Sequence, residues 1–245
     1  MATLLLRLAA PLQAWGADSK FETRKTNREP TKSGIIGLLA AALGLSRAEA
    51  GALSQLNALR FGVRVDQEGS LLVDYHTAGN PTPEEVRAAR NAGKAPKPPY
   101  VTQRYYLADA VFLIGLESRD EALLGRLQSA LTHPAFPLFL GRRACPPTPP
   151  LCLGIRPAGL LEALKQEPSQ APEWRRPQGQ RCRILLDAEP EAGGALPQRD
   201  LPLSFSPIHR QFGFRPVREL TAPLPAGPGS QEDDDTEHDP FLELR

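Results

Sequence analysis

The chain has 245 residues, 41% hydrophobic and 23% charged, a composition of soluble globular proteins and long enough for one large domain or two small ones. The uncharged run Ser33–Ser46 falls far short of the ~20 apolar residues that cross a bilayer, so no membrane partner is expected. A net charge of +1 hides an asymmetry: residues 223–245 hold seven acids and one base, so this segment carries −6 and the remainder +7. A basic body of this kind points to a polyanionic partner.

Residues 3–9 predict a strand, and Arg7 splits the opening apolar stretch too early for a signal peptide. Cys145, Cys152 and Cys182 form no CxxC pair and stand at no ligand-like spacing from His76, His133, His209 or His238. Reduced thiols in a cytoplasmic protein are expected, with no metal and no cofactor.

The stretch PTKSGIIGLLAAALG (30–44) predicts an apolar helix over 31–45, capped by Thr31. It is not a nucleotide-binding P-loop, because Lys32-Ser33 precede Gly34 and Asn27 stands where a glycine is required. The amides behind Thr31, Lys32, Ser33 and Gly34 would instead face an anion. A second helix follows from Ser46, with Glu49 completing a capping box. Residues 59–65 and 71–77 read as strands joined through the hairpin loop Asp66–Gly69.

Residues 78–103, rich in Pro, Gly, Lys and Arg, break the pattern and offer little to bury, so they read as a functional or disordered insertion. YYLADAVFLIGLE (105–117) predicts one strand, and residues 120–133 an amphipathic helix with apolar positions at 123, 124, 127 and 131. Residues 135–154 read as a proline-crowded surface loop, and a last strand is expected at 182–188 or near 201–205. This order, β-α-β-β-α-β, predicts an α+β, ferredoxin-like domain over 1–222. Residues 223–245 have the composition of a disordered tail.

Three places could carry chemistry. Gly141-Arg142-Arg143 joins a close backbone approach to paired guanidiniums that suit phosphates and bases. Arg104 beside Tyr105 and Tyr106 suits stacking on single-stranded RNA. His76, with Tyr75, Lys94 and Lys97 near it in sequence, could run metal-independent RNA cleavage by general acid/base catalysis. RQFGF (210–214) imitates an RNA-recognition motif only partly: Gln211 replaces its glycine, and Pro216 is expected to interrupt the strand.

Five stretches occur in order: RLAAPLQAWG, REPTKSGIIGLLAAALG, DYHTAG, QRYYLADAVF and FLGRRACPPTPPL. Together, over residues 3–217, they resemble the CasD-type subunits of the type I-E CRISPR surveillance complex, Cascade. The resemblance implies a RAMP-type protein with a ferredoxin-like body, a β-hairpin thumb at 78–104 and a C-terminal extension. Such a subunit would grip the 5′ handle of the CRISPR RNA beside the backbone and large subunits, near target DNA at the guide start. It assigns RNA contacts to Arg24, Thr31, Lys32, Ser33, Gly34, Arg104, Tyr105, Gly141, Arg142 and Arg143, and a thumb role to Arg87, Arg90, Lys94 and Lys97. Subunits of this type are generally not nucleases, although the related subunit of another subtype is one. A non-catalytic RNA-binding subunit is therefore expected, with a metal-independent endoribonuclease using His76 as the alternative.

Overall fold

The computed structural model describes residues 1–16, 22–47, 49–96, 99–175, 181–189, 193–206 and 208–225. In chain order these form β1 (Ala2–Ala9), β2 (Leu12–Gln13), β3 (Thr23–Arg24), α1 (Lys32–Ala42), α2 (Ala50–Asn57), β4 (Arg60–Gln67) and β5 (Ser70–Ala78). There follow α3 (Pro83–Asn91), β6 (Tyr100–Ala108), β7 (Val111–Ser118), α4 (Glu121–Thr132) and β8 (Cys152–Arg156). The last elements are α5 (Leu160–Gln166), β9 (Arg181–Asp187), β10 (Leu196–Ser204) and β11 (Gln211–Pro223).

The larger sheet runs β10-β11-β9-β4-β7-β1-β8, and its neighbouring strands are antiparallel. Helices α1 and α4 cover one face. Ile35, Ile36 and Leu39 meet Leu4, Leu6, Leu8, Phe61 and Ile114 there, with Leu123, Leu124 and Leu127 from α4. The opposite face buries Leu5, Leu113 and Ile184 under Leu160 and Leu164 of α5. Strand β1 is apolar on both faces because both faces are covered. The expected helix 31–45 and its Thr31 cap are present, Gly34 donating its N–H to Thr31 Oγ1 at 3.2 Å. So is the helix at 120–133, whose four named apolar positions are all buried. Cys145, Cys152 and Cys182 are free thiols.

Other expectations are corrected. β4 and β5 do not pair with each other: β4 lies between β7 and β9, while β5 pairs with β6 in a second sheet. Gly69 (φ +71°) makes the crossing, and a Cβ there would stand 2.6 Å from the Ala108 carbonyl oxygen. The expected strand 105–117 is cut in two at Asp109, whose φ of +57° swings the chain from β6 in one sheet to β7 in the other. Local periodicity registers apolar residues and not the sheet each half joins.

The element after α4 that pairs with β1 is β8, not the expected 182–188 or 201–205, which add β9 and β10 on the far side of β4. The loop 135–154 is not wholly a surface loop, since Leu140 and Cys145 are buried and Cys152 opens β8. Pro216 does not interrupt β11; its carbonyl accepts from Ala188 N–H at 3.1 Å. Helix α2 begins at Ala50 with Glu49 at its N-cap; Glu49 Oε1 accepts from Ser46 N–H at 2.6 Å, the returning arm of the expected box. β11 extends through Pro223, so the proposed tail loses its first residue to the sheet, while the rest of that expectation, from residue 226, lies outside the described residues.

The insertion that reads as functional or disordered carries α3. Thr82 and Glu85 form a reciprocal capping box behind Pro83, and Lys94 N–H reaches the Ala89 carbonyl past Gly93 (φ +65°). Both ends therefore close by local chemistry, so a helix with no buried residue still has defined limits.

Candidate nucleic-acid interface

β6 is the axis of the second sheet. β5 lines one edge from Ser70↔Ala108 to Ala78↔Tyr100, and β3 pairs in parallel on the other edge, with Thr23 opposite Gln103 and Arg24 opposite Arg104. Residues directly opposite share a face, so Arg24 and Arg104, 80 residues apart in sequence, project together. Arg142 closes the group from a distant loop. Its Nη1 donates to the Tyr105 carbonyl at 3.0 Å and its Nη2 to the Arg24 carbonyl at 2.8 Å. The guanidinium also lies 4.6 Å from the centre of the buried Tyr106 ring, a cation–π contact.

That loop is held by Gly141. Its φ is +88°, and a Cβ would stand 1.7 Å from the Ala14 carbonyl oxygen, so glycine alone fits. Ala14 N–H donates to the Leu140 carbonyl at 3.1 Å, and Leu140 and Arg142 both bond Cys145 across the turn. The close approach expected of Gly141 is thus to the chain's own backbone. Arg143, the next residue, is exposed. Trp15, fully buried, anchors the same corner: its backbone N–H donates to Thr26 Oγ1 at 2.8 Å, and its ring sits against Gly34. Exposed Lys25 and Arg28 extend the basic edge beside Arg24. Sequence reasoning passed over both, although the run TRKTNR (23–28) carries the signal.

The helix start does not join this group. Thr31 and Lys32 are 2% and 6% exposed. Lys32 N–H donates to Asp200 Oδ2 at 2.8 Å, and its Nζ donates to Asp187 Oδ2 and the Leu59 carbonyl, each at 2.8 Å. The anion at the positive helix end is therefore the chain's own carboxylate, and the assignment of Thr31 and Lys32 to RNA is corrected on that ground. Half-buried Ser33 donates its hydroxyl to Thr31 Oγ1 at 3.3 Å. Gly34 is needed because a Cβ would meet the Trp15 ring at 3.0 Å.

Arg215 completes the inner network, donating to Asp200 at 2.6 and 2.9 Å and to Asp187 at 2.6 Å, over the Phe61 ring. Burial alone would lower its pKa, but the two carboxylates hold it above the ordinary value.

Of the four residues in the cleavage reading, three are described. Tyr75 and His76 are successive residues of β5 and point to opposite faces. Lys94 lies beyond α3, and Lys97 is outside the described residues. Arg87 and Arg90, three apart on α3, share one exposed helical face with Lys94 following them. They stand at the tip of the β5–β6 hairpin, whereas Arg104, assigned to the thumb's return, lies in the sheet itself.

The fold is similar to that of two solved chains. A chain from a structure titled "CRISPR RNA-guided surveillance complex" superposes with a TM-score of 0.75 at 35% identity, covering 93% of this chain and 95% of that one. A second, titled "Crystal structure of Cas protein", gives 0.71 at 40% identity, covering 93% and 100%. The chain belongs to the Cas5 family: residues 3–218 match the family described as CRISPR-associated protein (Cas_Cas5). It is also 38% identical, over 164 residues, to the CRISPR system Cascade subunit CasD of Escherichia coli (strain K12), across 62% of this chain and 70% of that protein. Among the described residues no helix is long and apolar enough to cross a membrane.

Proposed function

We propose that this chain is a non-catalytic, RNA-binding subunit of a CRISPR RNA-guided surveillance complex, and that its second sheet grips the 5′ handle of the CRISPR RNA. The observation that carries the reading is the convergence of Arg24, Arg104 and Arg142 on one sheet edge, with Arg143, Lys25 and Arg28 exposed around them. Family membership and likeness to CasD support it. The strand order β8-β1-β7-β4, with α1 and α4 in the two crossovers, supports a ferredoxin-like body of the RAMP type. The β5–α3–β6 hairpin is its thumb, and Arg87, Arg90 and Lys94 are the charges it presents to the RNA or to target DNA at the guide start. Backbone and large subunits are the protein partners.

The test is binding of a 5′-handle oligonucleotide by the full chain, followed by fluorescence anisotropy across a salt series. Affinity should fall with salt by about 0.7 log units per log unit for each phosphate contact on single-stranded RNA. Replacing Arg24 and Arg143 with alanine should flatten that slope. A wild-type chain without salt-dependent affinity would overturn the reading, and cleavage of repeat RNA in the absence of metal would replace it with a nuclease.

A further inference from the structure

The tyrosines singled out beside Arg104 are spoken for: Tyr106 is buried beneath Arg142, and Tyr105 is half-buried with its carbonyl engaged. Two other tyrosines of the same sheet are open to solvent, Tyr75 (66% exposed) and Tyr100 (49%). They line an open cleft of about 750 Å³ whose remaining walls include Glu22, Thr23, Val101 and Gln103. Three of these residues form one rung across the sheet, since Gln103 lies opposite both Thr23 on β3 and Tyr75 on β5. The next rung is Arg24, Arg104 and Asp74.

Tyr75 projects with Gln103, whereas Tyr100 stands opposite Ala78 at the first position of β6 and lines the cleft from the strand's end. Exposed tyrosine rings offer flat π surfaces at low entropic cost, and every base has a face to lay on them. The cleft also holds a carboxylate, a hydroxyl and an amide, which suit the donor and acceptor edge of an unpaired base. Successive rungs face opposite sides of the sheet. β3 is only two residues long, so a nucleic-acid strand held at the arginines has a short edge to pass before reaching the cleft. We infer that the Tyr75–Tyr100 cleft is a stacking site for one unpaired nucleobase of the strand whose phosphates the arginines hold. This rests on the RNA-binding reading above and deepens it: the arginines supply charge, and the cleft supplies preference for a base over bare polyanion.

The test compares a short single-stranded RNA with an abasic ribose-phosphate chain of equal length and charge, each titrated into the full chain and into variants. Wild type should prefer the RNA. Tyr75→Ala should lose roughly 5-fold or more of RNA affinity, the lower end of what one base–aromatic stack contributes. Its affinity for the abasic chain and its salt slope should be unchanged. Tyr75→Phe should restore RNA binding, because stacking needs the ring and not the hydroxyl, and Tyr100→Ala should behave as Tyr75→Ala does. Both positions are exposed, so the variants fold. Salt-dependent RNA binding with no preference over the abasic chain, or an unmoved Tyr75→Ala, would overturn the stacking site while leaving the arginine interface standing, and the patch would then belong to a protein partner. Absence of salt-dependent RNA binding in wild type would remove both.

Discussion

Two regions of this molecule gather basic side chains near a surface-forming loop, and they end differently. At the start of α1, Lys32 and Arg215 are sealed against Asp187 and Asp200, two cations against two anions, below solvent. On the second sheet, Arg142 spends its donors on backbone carbonyls, which leave its charge uncancelled, and stands with Arg24 and Arg104 at the edge. The first arrangement holds β9, β10 and β11 to the body. The second builds positive potential where a polyanion can meet it. Carbonyl partners position a guanidinium without neutralising it, whereas carboxylate partners remove it from the surface field.

The largest effect expected from breaking this contrast is on stability. Asp200→Ala removes two of the three carboxylate bonds of Arg215, leaving Asp187, and uncaps the Lys32 amide, so unfolding free energy should drop by about 3–5 kcal/mol, the usual consequence of deleting one member of a buried ion pair. Denaturant titration measures it. A loss below about 1 kcal/mol would mean that the network is solvated and that the inner and outer regions do not differ in kind.

Gly141→Ala comes next. The left-handed backbone costs a non-glycine residue about 1–2 kcal/mol, and the clash with the Ala14 carbonyl adds to it because both partners are backbone. Thermal unfolding should show the loss, and RNA affinity should fall with it, since Arg142 moves with the loop. A stable variant with weakened RNA binding would show that the loop serves the site alone.

The adjacent arginines then separate the two jobs inside one region. Arg142→Ala removes two charge-assisted bonds and a ring contact, so it should lower stability by about 1–3 kcal/mol as well as RNA affinity. A loop lying wholly at the surface, as 135–154 reads in sequence, would contribute little to folding. Arg143→Ala should leave stability within about 0.5 kcal/mol and flatten the salt slope by about 0.7. Equal effects of the two substitutions on unfolding would erase the distinction drawn between them.

Much of the body was legible in sequence because its signals are local: the Thr31 cap, the periodicity of 120–133, the apolar strand at 3–9. The α3 capping box was equally local, and Thr82-Pro83-x-Glu85 spells it, but the Pro and Gly around it masked the signal. Partner choice was not legible. Nothing near Lys32 announces Asp187 and Asp200, 155 and 168 residues away, and a basic motif at a helix start reads the same whether an internal carboxylate or a ligand faces it. The crossing from β4 to β5 also looks like a hairpin until its neighbours are known. For the site, residue type pointed to Arg104 and Arg142, yet the exposed tyrosines proved to be others, because Tyr106 packs into the core while Tyr75 lies on the edge strand β5 and Tyr100 at the first position of β6.

The smallest expected effect concerns the thiols and extends the contrast to groups that must stay neutral. Burial pushes the pKa of Cys145, Cys152 and Cys182 above the ordinary thiol value, partly offset at Cys145 by a backbone hydrogen bond and the positive charge of Arg142, and at Cys182 by the charge of Arg64. In the unfolded chain these thiols lose their protons near pH ~8.5. Above that value the folded protein binds more protons than the unfolded one, so its stability falls as pH rises toward the folded-state values, and the full contribution is present only below it. A chain with all three changed to alanine should start from lower stability, because core volume is lost, but decline less steeply in that alkaline window. Parallel declines would mean that the thiols ionise as easily folded as unfolded. Thiol counting should agree: three per chain react in denaturant without reductant, while in the native protein half-buried Cys152 should react before Cys145 and Cys182, which are 1% and 3% exposed.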